Sequence, residues 1–291
     1  MGIFEGVITK GIGGFYYVNA ENGLIECRAR GIFRKRGFAP LVGDTAVIET
    51  SDRTHGVINE IKERKNVLIR PAVANVTQML VVVAHSSPEP NTYILDKLIA
   101  SAEYANLKIA ICFNKSDIGG SKELVTVYKD AGFEVIETSA AEHSGISDLK
   151  AFLKNEITVF AGNSGVGKSS LINELMGYEM FETGTVSDRL ERGRHTTRHS
   201  ELASLPFGGY IIDTPGFSSF DINVIPLEEL SSMFREIECI DGDCRFPDCT
   251  HRSEPDCCVL DAVESGRIAK SRHESYVQLY AEIKTAKENV Y

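Results

Sequence analysis

The 291-residue sequence predicts a multi-domain α/β protein: a small N-terminal β-barrel, a central helix-covered parallel sheet and a mainly helical C-terminal segment. Three observations predict it. Residues 1–67 hold short β-rich runs, GVITK, FYYVNA, LIECRA and DTAVIET, parted by Gly, Asn and Pro turns. From about Arg70 to Phe220, continuous apolar strands alternate with amphipathic helices, the pattern of a parallel sheet buried on both faces. Beyond that, PLEELSSMFREI and SYVQLYAEIKTAKE read as helices around a Cys/His-rich loop. The expected domains are 1–67, 68–220 and 221–291.

The barrel segment carries Arg28, Arg30, Arg34, Lys35 and Arg36 beside Phe33 and Phe38, a mixture suited to phosphate contact and base stacking. A net charge of -10 argues against wholesale wrapping of nucleic acid, but the charge is uneven. Residues 1–67 hold ten Lys/Arg against eight Asp/Glu, whereas residues 221–291 hold eight against fifteen. The longest apolar run, Met79 to Ala84, is too short to span a bilayer. The opening MGIFEGVITKG lacks the basic and apolar regions of a secretory signal, so a cytoplasmic, thiol-reducing location is expected.

In the central segment the strands QMLVVVA, KIAICFN, FEVIE, ITVFA and YIID are interleaved with helical stretches, among them TYILDKLIASAEYA and ISDLKAFL. Between ITVFA and the helical SLINELM lies Gly162-Asn163-Ser164-Gly165-Val166-Gly167-Lys168-Ser169, followed by Ser170, the strand-loop-helix setting of a phosphate loop. Its glycines let successive backbone NH groups turn inward onto phosphate oxygens, and the helix start adds positive potential. Lys168 would bridge the outer phosphates and Ser169 would ligate magnesium.

Asn114-Lys115-Ser116-Asp117 ends the strand KIAICF, where side chains can face a ligand crevice. The Asp117 carboxylate accepts two hydrogen bonds, which suits the adjacent NH donors on guanine's pairing edge and leaves adenine a poor fit. Asn114 would steady the loop and touch the base, with Lys115 along its face. Thr138-Ser139-Ala140, at the end of FEVIE, strengthens this guanine reader and adds Ser139 and Ala140 to the base site. Asp213-Thr214-Pro215-Gly216 ends YIID; Asp213 could hold magnesium through water and the Gly216 NH could sense a γ-phosphate.

The base reader thus precedes the phosphate loop, the reverse of ordinary GTP-binding domains. A closed stack of strands tolerates such a permutation when its termini lie close together, because space and not chain order assembles the site. The DTPG segment then leads directly into the C-terminal segment, so nucleotide state is expected to act on it. In the Arg-rich stretch before it, either Thr196 or Thr197 could complete the magnesium shell. Phe217 follows DTPG where Ras-like enzymes carry a catalytic glutamine, and a phenyl ring cannot orient water. His195 could take that role when a partner orders the loop, so slow intrinsic and partner-stimulated hydrolysis are expected.

Five of the seven cysteines crowd between Cys239 and Cys258. Cys244, Cys249, His251 and Cys257 supply three thiolates and one imidazole, enough for a closed tetrahedral zinc site that would knit a loop lacking an apolar core. Cys257 is assigned on spacing; Cys258 beside it could exchange roles with it, and Cys239 flanks the set. The remaining histidines, His55, His85, His143, His199 and His273, have no evident partner in the sequence.

NKSD, TSA, GNSGVGKSS, GRHTT and DTPGF in this order, followed by CRFPDCTHRSEPDC, resemble the ribosome small-subunit-dependent GTPase A family over essentially the whole chain. The resemblance implies an N-terminal OB-fold that contacts ribosomal RNA, a central circularly permuted P-loop GTPase and a C-terminal helical zinc-binding domain. It also implies GTP hydrolysis stimulated by the small ribosomal subunit during its late maturation; GTP/GDP and Mg2+ follow from the motifs, Zn2+ from the Cys/His set, and a monomer without membrane association is expected. A GTP-gated RNA-binding module with incidental hydrolysis is the alternative, and a small-molecule kinase on the same phosphate loop a third reading that NKSD and DTPG oppose.

Overall fold

The structure, a computed structural model, describes residues 2–35, 37–69, 72–120, 122–180, 201–213 and 222–288; for Arg34, Lys35, Ile69 and Asp213 it describes the backbone alone. In chain order the elements begin with β1 (Gly2–Ile12), β2 (Phe15–Ala20), β3 (Gly23–Ala29), α1 (Gly31–Lys35), β4 (Thr45–Thr50), β5 (His55–Ile61), β6 (Val67–Ile69) and β7 (Ala72–Ala74). There follow β8 (Gln78–Ala84), α2 (Thr92–Tyr104), β9 (Lys108–Asn114), α3 (Lys122–Asp130), β10 (Glu134–Thr138), α4 (Ile146–Leu153), β11 (Ile157–Ala161) and α5 (Lys168–Met176). The chain continues with β12 (Glu201–Ser204), β13 (Tyr210–Asp213), α6 (Arg235–Glu238), α7 (Cys258–Glu264) and α8 (Lys270–Glu288). These elements form two compact units that interleave along the chain.

The first unit draws on residues 1–78, 150–160 and 175–216. β1 pairs antiparallel with β2, β2 with β3, and β5 with β4, while β3 runs parallel to β5. Pairing of β4 back onto β1 closes the five strands into a barrel and removes their open edges. TAVIET alternates between half-buried and buried positions along β4, so one face of the strand feeds the barrel interior. That interior is Ile8, Val18, Ile25, Cys27, Ala46, Ile48 and Ile58, all wholly buried. A hairpin of β6 and β7 follows. Asp44, itself buried, anchors the turn into β4 by taking two hydrogen bonds from Arg64, at 2.7 and 2.8 Å. Within the same unit β11 runs parallel to β13, β13 antiparallel to β12, and β12 meets β1 at Lys10, whose ammonium pairs with Glu201 at 2.8 Å.

The basic and aromatic side chains of the barrel are partly engaged within it. Arg28 lies 4.5 Å over the Phe15 ring and Arg30 pairs with Glu49 at 3.4 Å. Phe33 packs on the barrel core, and Phe38 carries the Arg64 guanidinium at 4.3 Å. The side chains of Arg34, Lys35 and Arg36 lie outside the described residues.

The second unit draws on residues 79–149, 161–174 and 217–291. β9 lies between β8 and β10 and runs parallel to β10, with Thr138 in register with Asn114. β8 is buried along its whole length, as QMLVVVA requires of a strand covered on both faces. Asn91 caps α2, its side chain accepting from the Ile94 NH at 3.0 Å. The C-terminal helices pack around Leu230, Phe234, Val259, Tyr276, Leu279 and Ile283. PLEELSSMFREI is not one helix: a 3-10 run, Leu227–Met233, stops at Phe234, which adopts an extended backbone before α6. The break lets the Phe234 ring turn into the core, edge-on to Tyr276 at 5.4 Å.

Arg272 of α8 is the largest fully buried side chain among the described residues. Its guanidinium donates to Asp96 of α2 at 2.5 Å and to Glu236 of α6 at 2.6 and 3.1 Å, while the Tyr128 hydroxyl of α3 donates to the same Asp96 oxygen at 2.7 Å. Burial alone would favour loss of its proton, but the Asp96 and Glu236 carboxylates outweigh this and hold it charged. Four elements of the unit therefore share one dry ion cluster. Arg272→Ala leaves two carboxylates buried without a counter-charge and is expected to lower unfolding free energy by about 3–5 kcal/mol in a urea titration. Lys284→Ala, at the exposed Lys284–Glu288 pair, is expected to change it by less than about 0.5 kcal/mol.

Candidate nucleotide site and Cys/His centre

The phosphate-loop sequence forms a tight turn between β11 and α5, and its glycines are there for space. Gly162 has φ +135°, and a Cβ on it would stand 2.2 Å from the Val82 carbonyl oxygen. Gly167 has φ +95°, and its Cβ would stand 2.3 Å from Asn114 Nδ2. That second approach joins the two motifs: Asn114 Nδ2 donates to the Val166 carbonyl at 2.9 Å, inside the second unit. Ser164 and Gly165 are exposed, Asn163, Ser169 and Ser170 are half-buried, and Val166 is buried. Lys168 Nζ donates to the Gly162 and Asn163 carbonyls, both at 2.6 Å, and burial lowers its pKa. The ammonium thus lies across the curl of the loop, where an incoming phosphate would compete for it.

On the base side, Asn114 ends β9, and its Oδ1 accepts from Thr138 Oγ1 at 3.1 Å. Lys115 takes a left-handed backbone, φ 64°, and its Nζ donates to the Ser87 carbonyl at 2.6 Å. Ser139 Oγ donates to Asp117 Oδ1 at 2.5 Å and accepts from the Glu142 NH at 3.1 Å. Ala140 follows, half-buried. Asp117 itself is exposed. Next to the phosphate loop is a recess lined by Pro88, Asn91, Leu95, Gly162, Asn163 and Val166; it adjoins the phosphate side and not Asp117.

Asn114, Lys115, Asp117, Ser139, Ala140 and residues 162–170 are therefore gathered in one unit. Asp213 ends β13 in the other unit, with its backbone alone described. His195, Thr196, Thr197 and Gly216, together with Thr214, Pro215 and Phe217, lie outside the described residues.

Ligand atoms of Cys244, Cys249, His251 and Cys257 all lie within 4.8 Å of one another. Cys244 and Cys257 sulfurs are 3.8 Å apart, and His251 Nδ1 stands 3.5 and 3.4 Å from them. Tetrahedral zinc with ordinary ligand lengths requires edges of about 3.8 Å between two thiolates and about 3.5 Å between thiolate and imidazole. The donor set fits zinc on chemistry and on spacing. Cys258 Sγ lies 3.3 Å from Cys244 Sγ but outside the mutual group, and Cys239 is exposed and apart from it. The loop is braced from α8: His273 Nε2 meets the His251 carbonyl at 2.7 Å, and the Tyr276 hydroxyl donates to the Thr250 carbonyl at 2.7 Å. Three loop NH groups, of Thr250, Arg252 and Ser253, converge on the Glu254 carboxylate at 2.9, 2.9 and 3.0 Å.

Residues 61–223, more than half of the chain, match the family model described as RsgA GTPase, and residues 5–58 match the RsgA N-terminal domain. The chain belongs to the RsgA GTPase family. It is accordingly a GTP hydrolase working with GTP, GDP and magnesium. A relative from Caldanaerobacter subterraneus subsp. tengcongensis, called small ribosomal subunit biogenesis GTPase RsgA, is 47% identical over 290 residues, covering 99% of this chain and 98% of the relative. A protein of that name from Clostridium novyi is 46% identical, covering 96% of this chain and 97% of the relative. Among solved structures, YjeQ from Thermotoga maritima superposes with a TM-score of 0.81 at 37% identity, covering 97% of this chain and 98% of that one. YloQ, described as a circularly permuted GTPase, gives a TM-score of 0.81 at 34% identity over 98% of this chain and 96% of that one. Membership of the RsgA family and the permuted neighbour account for a base-reader motif placed before the phosphate loop.

The sequence motifs do not mark several side chains that position these groups. Ser87 receives Lys115, and His273 and Tyr276 brace the Cys/His loop, while Thr138, marked only as part of the TSA motif, holds Asn114. Each acts across a contact between distant segments, and such a contact leaves no local pattern. The His143 ring likewise finds Glu174 at 2.8 Å.

Because a Cβ on Gly167 would collide with Asn114 Nδ2 and L-residues disfavour its backbone, Gly167→Ala is expected to separate the two motifs. Fluorescent-GDP titration should show affinity reduced by on the order of 10²-fold, equivalent to about 2.7 kcal/mol, with the thermal midpoint also lowered.

Proposed function

We propose that this chain binds the small ribosomal subunit and assists its late maturation, hydrolysing GTP to GDP and phosphate under stimulation by the subunit. The observation that carries the reading is likeness over 99% of the chain to a relative named for small-subunit biogenesis. The joined guanine and phosphate motifs supply its enzymology.

In this reading Asp117 pairs with guanine, Asn114 and Lys115 hold the base plane, and Ser139 and Ala140 close the pocket around it. The backbone of residues 162–170 and the Lys168 ammonium hold the phosphates. Ser169, Asp213 through water and either Thr196 or Thr197 would hold magnesium, which would supply neutralisation of phosphate charge. The Gly216 NH senses the γ-phosphate, and His195 orients the attacking water once the subunit orders its loop. Phe217 cannot take that role, which makes hydrolysis depend on the partner.

The domains in this reading are an OB-fold at 1–67 that contacts ribosomal RNA, the permuted GTPase at 68–220 and a zinc-binding helical domain at 221–291. The closed barrel and the Arg28 and Phe15 stack suit the first. Cys244, Cys249, His251 and Cys257 hold zinc in the third, where the metal, when bound, supplies a closed structural cross-link. The protein works as a monomer in the cytoplasm without membrane attachment. No helix among the described residues is long and apolar enough to cross a membrane.

GTP hydrolysis titrated with purified small subunits tests partner and reaction together. The expected result is saturable stimulation, on the order of 10³-fold or more as at other partner-completed GTPase sites, and its loss in His195→Ala with GDP affinity kept. A flat titration would leave only a GTP-gated RNA-binding module; phosphate recovered on a metabolite and not in water would indicate a kinase.

Elemental analysis should find one zinc per chain, and Cys249→Ser should lower that content. Stripping the metal with a strong chelator is expected to increase proteolysis within 239–258 while the barrel stays resistant, because metal binding is coupled to folding of that loop.

A further inference from the structure

Behind Asn114 of the guanine reader lie two buried polar groups, Thr138 and Cys112, that the reaction does not itself use. Cys112 and Asn114 are two residues apart on β9, so their side chains share a face of the sheet, and Thr138 of neighbouring β10 is in register with Asn114. Cys112 Sγ lies 3.2 Å from Thr138 Oγ1; Cys112 and Thr138 are fully buried and Asn114 nearly so.

The direction of every proton among these groups can be deduced. The Val166 carbonyl only accepts, so the Asn114 atom facing it is the amide nitrogen. The amide oxygen then faces Thr138 and also only accepts, which commits the single hydroxyl hydrogen of Thr138 to it. The remaining contact of Thr138 must be one that it receives, and the donor is the Cys112 S–H. Burial pushes the Cys112 thiol up to about 12, consistent with a proton held there at neutral pH. The sequence is therefore S–H to hydroxyl, hydroxyl to amide oxygen, and amide N–H to the phosphate-loop carbonyl. All bonds point one way, the arrangement in which each polarises the next.

We propose that Cys112 is a positioning residue for nucleotide binding: its thiol donates to Thr138 and so fixes the Asn114 amide that ties the guanine reader to the phosphate loop. This inference rests on the nucleotide site proposed above and deepens it. Asn114 is the one member placed to touch the nucleotide; Thr138 and Cys112 act through it. A buried thiol would otherwise be read as a small apolar filler, and the two roles call for opposite substitutions. Valine lacks a donor but carries one heavy atom more than cysteine, so the thermal midpoint is read beside the release rate to report any overpacking. Serine keeps the donor and gives up volume and apolarity.

Cys112→Val, Cys112→Ser and Thr138→Val are each compared with the parent chain in the release rate of a fluorescent GDP analogue and in thermal midpoint. A positioning thiol predicts release accelerated about 3–10-fold in Cys112→Val, the scale of one internal hydrogen bond, and further in Thr138→Val. It predicts Cys112→Ser within about 2-fold of the parent, a rescue that a packing role would not give. The proposal is overturned if Cys112→Val matches the parent, or if Cys112→Ser is as fast as Cys112→Val. A parent chain that binds no guanine nucleotide would overturn the nucleotide site itself and the proposal with it, an outcome distinct from normal binding with unresponsive variants.

Discussion

The hydrogen bond from Asn114 to the Val166 carbonyl is the contact on which the proposed nucleotide site depends. It spans 52 residues of sequence and 2.9 Å of space. On one side it fixes the end of β9, which Lys115 and Asp117 follow; on the other it fixes the turn that holds Gly162 and Gly167. The bond forms because Gly167 carries no side chain, which lets an amide stand where a Cβ would be. The order of the motifs along the chain is therefore free, provided both ends of this contact survive. Permutation alters which loops join the strands and leaves the contact intact.

Around that bond several buried polar groups are tied to one another by hydrogen bonds. Thr138, Asn114 and Ser139 exchange hydrogen bonds with one another's neighbours, so the reader loops are held by directed contacts as well as by packing. Deeper in the unit the Arg272 cluster performs the same service for α2, α3, α6 and α8 at higher electrostatic stakes. Such a cluster is weak evidence for net stability, since desolvation offsets much of its attraction. What it does determine is orientation, because a guanidinium with three fixed acceptors tolerates little rotation. Its neighbour on α8, His273, reaches the His251 carbonyl, so one helix both anchors α2 and braces the Cys/His loop.

The Cys/His loop shows how irregular backbone is held by directed contacts at the edge of an apolar cluster, to which Cys257 belongs and against which Cys244 and Cys249 pack. Its NH groups converge on Glu254, its carbonyls are taken by His273 and Tyr276, and its four donors already stand at spacings that suit a tetrahedral ion. Cys258 sits beside the four, close to one sulfur, which is why spacing along the chain left it a rival to Cys257.

By itself the sequence determined the element types, the barrel, the apolar strands and the four chemical motifs, because each rests on local rules. Period-2 alternation marks TAVIET, continuous burial marks QMLVVVA, and glycine spacing marks the turn at Gly162–Gly167. Sequence reasoning failed where a distant partner overrides a local preference. The helical pattern of PLEELSSMFREI yields at Phe234 because its ring finds Tyr276. Only the tertiary structure decided that Asn114 reaches Val166, that Thr138 and Cys112 stand behind it and that Arg272 is buried, since each depends on which strands and helices become neighbours. Contacts of that kind are set by three-dimensional packing, and residue order carries no local trace of them.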